Sequence, residues 1–208
     1  MVERINALLK NWQKRNISGF YFPDKEKAIE KILELIPSGA SIGISGSQTI
    51  AELDIVDRLS SRGNCVFDQY KKGLTLQESR QMRQAGIGAD FYLTSANAIS
   101  ENGELVFFSA FGQRIAGIAN ARNVIVICGI NKLAANLQDA VKRAREYVTP
   151  LNCRRLEWNT PCVKDGICRN SICLFPEYKR MCCQVLIIEA ETAPDRLKVF
   201  LIGQPLGF

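Results

Sequence analysis

The chain has 208 residues, 47% of them hydrophobic, and a formal charge of +6 from 27 Lys+Arg against 21 Asp+Glu, with no histidine and eight cysteines. That length and apolar content suffice for a continuous core and argue against disorder, while no run approaches the roughly 18 apolar residues of a membrane-spanning helix. The absence of histidine excludes Ser-His-Asp and Cys-His catalysis and any histidine-ligated metal, so proton transfer falls to Glu, Asp, Lys, Tyr, Cys or water.

The opening Met1-Val2-Glu3-Arg4-Ile5-Asn6 places charges where a signal peptide needs apolar side chains, which points to the cytoplasm. Helix is expected in two pieces up to Ile36, the second carrying Ala28, Ile29, Ile32, Leu33 and Ile36 at helical spacing before Pro37-Ser38-Gly39. Ser41-Ile42-Gly43-Ile44-Ser45 reads as a strand, followed by a Gly46-Ser47-Gln48-Thr49 turn and a helix to about Leu59, with Thr49 and Glu52 at capping-box spacing. Cys65-Val66-Phe67 is a short strand and Thr75 to Ala85 a charged helix. Phe91-Tyr92-Leu93-Thr94 reads as a buried strand, with Leu105-Val106-Phe107-Phe108 returning beside it through a turn at Asn102-Gly103. Asn123 to Gly129 is an apolar run of the kind that a strand buried on both faces requires, and Asn136 to Val148 follows as an amphipathic helix. Val185 to Ile188 and Leu197 to Ile202 read as two strands joined at Ala193-Pro194-Asp195 and completing the sheet. Strands alternating with helices predict an α/β fold, a mostly parallel sheet with helices on both faces, in a single domain over 1–208 that includes a cysteine-rich segment at about 150–184.

Four stretches stand at strand ends, where open α/β sheets bind ligands. Gly46, Ser47, Gln48 and Thr49 offer free backbone N–H groups and hydroxyls, suited to an anion or simply to capping the helix. Asn97 to Gly103 brings Glu101, a candidate base or nucleophile, or else an exposed hairpin acid. Arg114 and Lys132, the latter beside Asn131, sit at turns as candidate clamps on a carboxylate or phosphate, with surface salt bridging as the alternative. Lys132 can also stabilise a developing oxyanion.

Six of the cysteines fall between Cys153 and Cys183. In a reduced protein Cys162, Cys168, Cys173 and Cys182 are candidate ligands for zinc or an iron–sulfur cluster, with thiol redox chemistry or plain packing as alternatives. Their spacing matches neither a zinc ribbon nor a ferredoxin run. Lys142 to Arg180 carries nine basic residues against Glu146, Glu157, Asp165 and Glu177, but with no interleaved aromatic platform for nucleic acid. The expected partner is a small anionic metabolite, and a second copy of the chain is a further candidate.

Gly46-Ser47-Gln48-Thr49 with Glu52-Leu53, Ala89-Asp90-Phe91, Asn97 to Gly103, Gly112-Gln113-Arg114, Gly129 to Leu133 and the closing Gly203 to Phe208 together resemble the lactate-utilisation (LUD) domain family over nearly the whole chain. The resemblance implies the Rossmann-like fold shared by sugar-phosphate isomerases, glucosamine-phosphate deaminases and coenzyme A transferases. It also implies a part in organic-acid oxidation beside iron–sulfur partner proteins. Thr160-Pro161-Cys162 and Met181-Cys182 resemble similar chains that carry a cysteine segment. Ser100-Glu101-Asn102-Gly103 is similar to the stretch of family I coenzyme A transferases whose glutamate attacks an acyl thioester, although Glu104 stands where those enzymes have an apolar residue. That likeness makes acyl transfer through Glu101 a second functional expectation, and a regulatory binding module without chemistry is a third.

Overall fold

A computed structural model describes residues 1–208. Its centre is a six-stranded sheet of β1 (Ser18–Phe22), β2 (Ser41–Ile44), β3 (Cys65–Phe67), β4 (Phe91–Thr94), β7 (Asn123–Gly129) and β10 (Leu197–Ile202), in the order β1-β10-β7-β4-β2-β3. Every pair in it is parallel. A second sheet of β8 (Leu133–Ala134), β5 (Ala98–Ser100), β6 (Leu105–Ser109) and β9 (Gln184–Ile188), in that order, packs on one face.

Successive side chains of a strand point to opposite faces, and here both faces are covered. Val124, Val126, Cys128, Val199 and Leu201 meet Ile5, Leu8 and Trp12 of α1 (Val2–Lys14), together with Ile99, Leu105 and Phe107 of the second sheet. Ile125, Ile127, Phe200 and Ile202 meet α2 (Lys25–Leu35), α3 (Gln48–Glu52) and α4 (Ile55–Ser61). Each fully buried side chain of this size contributes about 1.5–3 kcal/mol. The α/β class and the parallel sheet between helices are therefore as the sequence predicts.

Three expectations need correction. β1 lies between the two N-terminal helices, where only helix was expected. Its burial is mostly partial and it is an edge strand, so no long apolar run marks it. β6 does not return beside β4. It pairs antiparallel with β5 in the second sheet, because Asn97 and its neighbours carry the chain out of the first. β9 and β10 do not pair either: β9 lies beside β6, while β10 fits between β1 and β7.

The remaining helices are α5 (Leu76–Ile87), α6 (Gln113–Asn120), α7 (Leu137–Arg143), α8 (Thr149–Arg155) and α9 (Pro161–Asp165). A capping box at Thr75 and Glu78 starts α5. It crosses the sheet closely at Gly43, where an added Cβ would fall 2.0 Å from the Gly86 carbonyl oxygen. α7 continues through a π turn, Ala144–Val148, into α8, so this helix runs seven residues past the expected end at Val148.

Candidate anion site at the carboxyl edge

β7, β4 and β2 are neighbours running the same way, so the segments leaving their carboxyl ends share one edge. These are Ser45–Ser47 after β2, Ser95–Asn97 after β4 and Ile130–Lys132 after β7. A cavity of about 310 Å³ opens there, closed on its far side by residues from α8 and the cysteine segment. Tyr70 packs close over Gly46 in its wall: a Cβ there would lie 2.1 Å from the Tyr70 hydroxyl, and the exposed Tyr70 ring would have to swing aside to admit it.

Lys132 is 4% exposed. Its Nζ donates to Thr49 Oγ1 (2.8 Å), Ser95 Oγ (2.8 Å) and the Ala96 carbonyl (3.2 Å), all neutral. Burial pulls its pKa down to about 8, and the Arg114 and Arg143 cations push the same way against Cys128 and Glu52. Arg114 is also sequestered, donating to the Gly46 carbonyl (2.6 Å), Asn97 Oδ1 (3.0 Å) and the Phe108 carbonyl (3.1 Å), and burial lowers its pKa. Behind them half-buried Arg143 donates to the carbonyls of Asn97 (2.9 Å) and Asn131 (2.8 Å). None of the three forms an ion pair. No Asp or Glu side chain lines the cavity. The nearest acid of consequence, Glu52, is bonded to Gln48 (3.2 Å) and to the Gly207 backbone N–H (2.8 Å).

Gly46, Ser47, Gln48, Thr49, Asn97, Arg114 and Lys132 all line this cavity. Ser47, not Thr49, is the helix cap, its Oγ accepting from Ile50 N at 3.3 Å, so the expected Thr49–Glu52 box does not form. With five residues, α3 has little dipole to offer, and the positive charge of the site comes from side chains.

Two expected site residues lie elsewhere. Asn131 holds the C-terminal segment, accepting from Leu206 N (3.0 Å) and donating to the Gly207 carbonyl (3.1 Å), which frees Phe208 to line the cavity. Glu101 sits at the tip of the β5–β6 hairpin, four residues and about 13 Å of strand beyond Asn97. There it pairs with Arg4 at 2.5 Å. Trp12 Nε1 to the Gly103 carbonyl (3.0 Å), Arg15 Nε to the Asn102 carbonyl (2.8 Å) and Asn11 Nδ2 to the Glu101 carbonyl (2.9 Å) fasten this tip to α1. Glu104, in the place of an apolar residue, accepts from Arg15 at 2.5 Å and completes the clamp. Glu101 therefore has no access to a reacting group in the cavity.

Sequence reasoning missed Ser95, which contacts Lys132, and Cys128, whose Sγ accepts from Ala96 N at 3.4 Å beneath it. Ser95 is the first residue past a buried strand, a position that was signal enough. Nothing in the sequence marked Arg143, or Trp158, which lines the far side of the cavity.

Cys153, Cys162, Cys168, Cys173 and Cys182 surround a separate small cavity, and all eight cysteines are free thiols. As folded, no three of the cysteine or acidic side chains stand close enough to hold one metal ion. Burial pushes the Cys153 thiol up to about 12 and raises Cys168 and Cys173, so these thiols are protonated at neutral pH.

The model of the LUD domain matches residues 5–202. The chain belongs to the LUD domain family. Among solved structures, a DUF162 family protein from Deinococcus radiodurans is similar over 97% of this chain and 98% of its own, with a TM-score of 0.54 and 11% identity. Ribose 5-phosphate isomerase A from Methanocaldococcus jannaschii matches 54% of this chain and 55% of its own, with a TM-score of 0.37 and 20% identity. eIF2B delta from Chaetomium thermophilum matches 69% and 59%, with a TM-score of 0.36 and 18% identity. No curated protein matches the sequence. Membership of the LUD family supports a role related to lactate utilisation. No helix of this LUD domain is long and apolar enough to cross a membrane.

Proposed function

We propose that this LUD domain binds the carboxylate or phosphate of a small metabolite between Lys132, Arg114 and the Gly46 to Thr49 turn. In this role it serves as a component of hydroxy-acid oxidation of the lactate type, working beside an iron–sulfur electron-accepting partner. The observation that carries the reading is the buried Lys132 beside the half-buried Arg114, two cations whose hydrogen-bond partners are all uncharged. Burying a charge without a counter-ion is costly, and an anionic ligand is what offsets that cost. Gln69 and Gln113, also in the wall, each keep one buried polar atom without a partner, which gives a hydroxyl beside the carboxylate groups to bond with.

The acyl-transfer reading loses its nucleophile with Glu101 and is not retained. A thermal-shift and calorimetric screen over lactate, other hydroxy acids, sugar phosphates and acyl thioesters tests the proposal. Stabilisation by a hydroxy acid that disappears in Lys132→Met is the expected result. Equal stabilisation of wild type and Lys132→Met, or none by any acid, would sink it.

A further inference from the structure

The cysteine segment is built the wrong way round for an ordinary loop. From the end of α9 at Asp165 to the start of β9 at Gln184 it has no helix or strand. Ile167, Ile172, Leu174 and Phe175 are exposed, Phe175 at 91%, while Cys173, Met181 and Cys182 are buried. A long loop that folds by hydrocarbon burial turns its Ile, Leu and Phe inward. This one turns its sulfur inward, and five thiols from α8, α9 and the loop meet around one cavity. Cations attend them: Arg169 and Arg180 line the same cavity, and an Arg145 nitrogen lies 4.0 Å from Cys182 Sγ. Two or more neighbouring thiolates repel, and positive charge beside them offsets that repulsion. Soft metals bind such sets and supply folding free energy to loops that have little core of their own.

The position of this cavity gives the cluster a consequence. Thr149, Met181 and Cys182 line both it and the anion cavity, so the two are separated by a single layer of side chains.

We propose that Cys162, Cys168, Cys173 and Cys182, backed by Cys153, bind a thiophilic metal centre, and that this centre fixes the wall which the segment gives to the anion cavity. The thiols surround a space without converging on one point, so the loop carrying Cys168 and Cys173 must move when metal enters. Nothing regular in that loop opposes the movement. Zinc and an iron–sulfur cluster share this ligand chemistry and differ in what they bring with them.

The metal half is tested on the full chain purified anaerobically, with zinc, iron and acid-labile sulfide measured per chain. About one zinc, or iron with matching sulfide and visible absorption, is the expected content. Either is to be lost in Cys168→Ser and Cys173→Ser and kept in Cys65→Ser, whose thiol is exposed on β3. Substoichiometric zinc and iron in the wild type, with all eight thiols titratable after denaturation, overturns the proposal whether or not the variants fold. The wall half rests on the anion-site reading and uses DL-lactate as probe: removing the metal is expected to weaken its binding at least threefold. Metal loss with unchanged lactate affinity overturns the wall and leaves both sites standing. Failure of lactate to bind either form counts against the anion reading alone, since the metal content is decided independently.

Discussion

Lys132 combines a pKa near 8 with a ring of neutral partners, and each fact has a measurable sign. Between the folded value of about 8 and the ordinary value of 10.5, the unfolded chain holds more protons than the folded one. Ligand-free stability from this group therefore rises with pH across that window. Anion affinity runs the opposite way, declining by up to about tenfold per pH unit above 8 as the ammonium is lost. Denaturant midpoints and binding isotherms at pH 7 to 10 give both slopes. Lys132→Met should weaken anion binding by about 2–5 kcal/mol, the usual effect of truncating one side of a buried charge contact, while the ligand-free protein keeps or gains stability. Glu101→Gln, in contrast, removes one half-exposed ion pair; the expected change in denaturant midpoint corresponds to less than about 1 kcal/mol, with ligand affinity unaltered. The difference between these two residues was beyond the sequence. Both follow strands, but only the chain direction after the strand decides whether a side chain faces the cavity, and the β5–β6 hairpin leads Glu101 away.

At the scale of elements, the parallel strands and most helices were legible because their signals are local: continuous apolar runs and helical spacing. β1 was not, since an edge strand needs no long apolar run. The pairing of β6 with β5, and the placement of β10 between β1 and β7, depend on contacts far apart in sequence that no local pattern encodes. Gly43 illustrates how one such contact constrains a residue. Gly43→Ala would drive a methyl into the Gly86 carbonyl and lift α5 from β2. Overpacking of this kind costs about 1–3 kcal/mol, to be read as a lower urea midpoint with an unchanged m-value.

For the molecule as a whole, the alternation of strand and helix gave the α/β class, and the rule that ligands gather at carboxyl strand ends pointed to the edge where the candidate cavity opens. The cavity wall beyond that edge was hidden, because Trp158, Met181 and Phe208 reach it from the last quarter of the chain. A ligand held at one edge of the sheet stabilises the entire fold. At a hundred times its Kd a bound acid adds about 2.7 kcal/mol, and for a chain of this size the melting temperature should rise by roughly 5–10 °C.

The closing segment carries a practical consequence. Phe208 is part of the cavity wall, and Glu52 and Asn131 grip the residues just before it. A purification handle fused after Phe208 would begin its course at the rim of the cavity, as a tethered competitor for the acid. One placed ahead of Met1 begins beside α1, which contributes no residue to that wall. The two formats should therefore return different affinities for the same compound, and only the second reports on the free cavity.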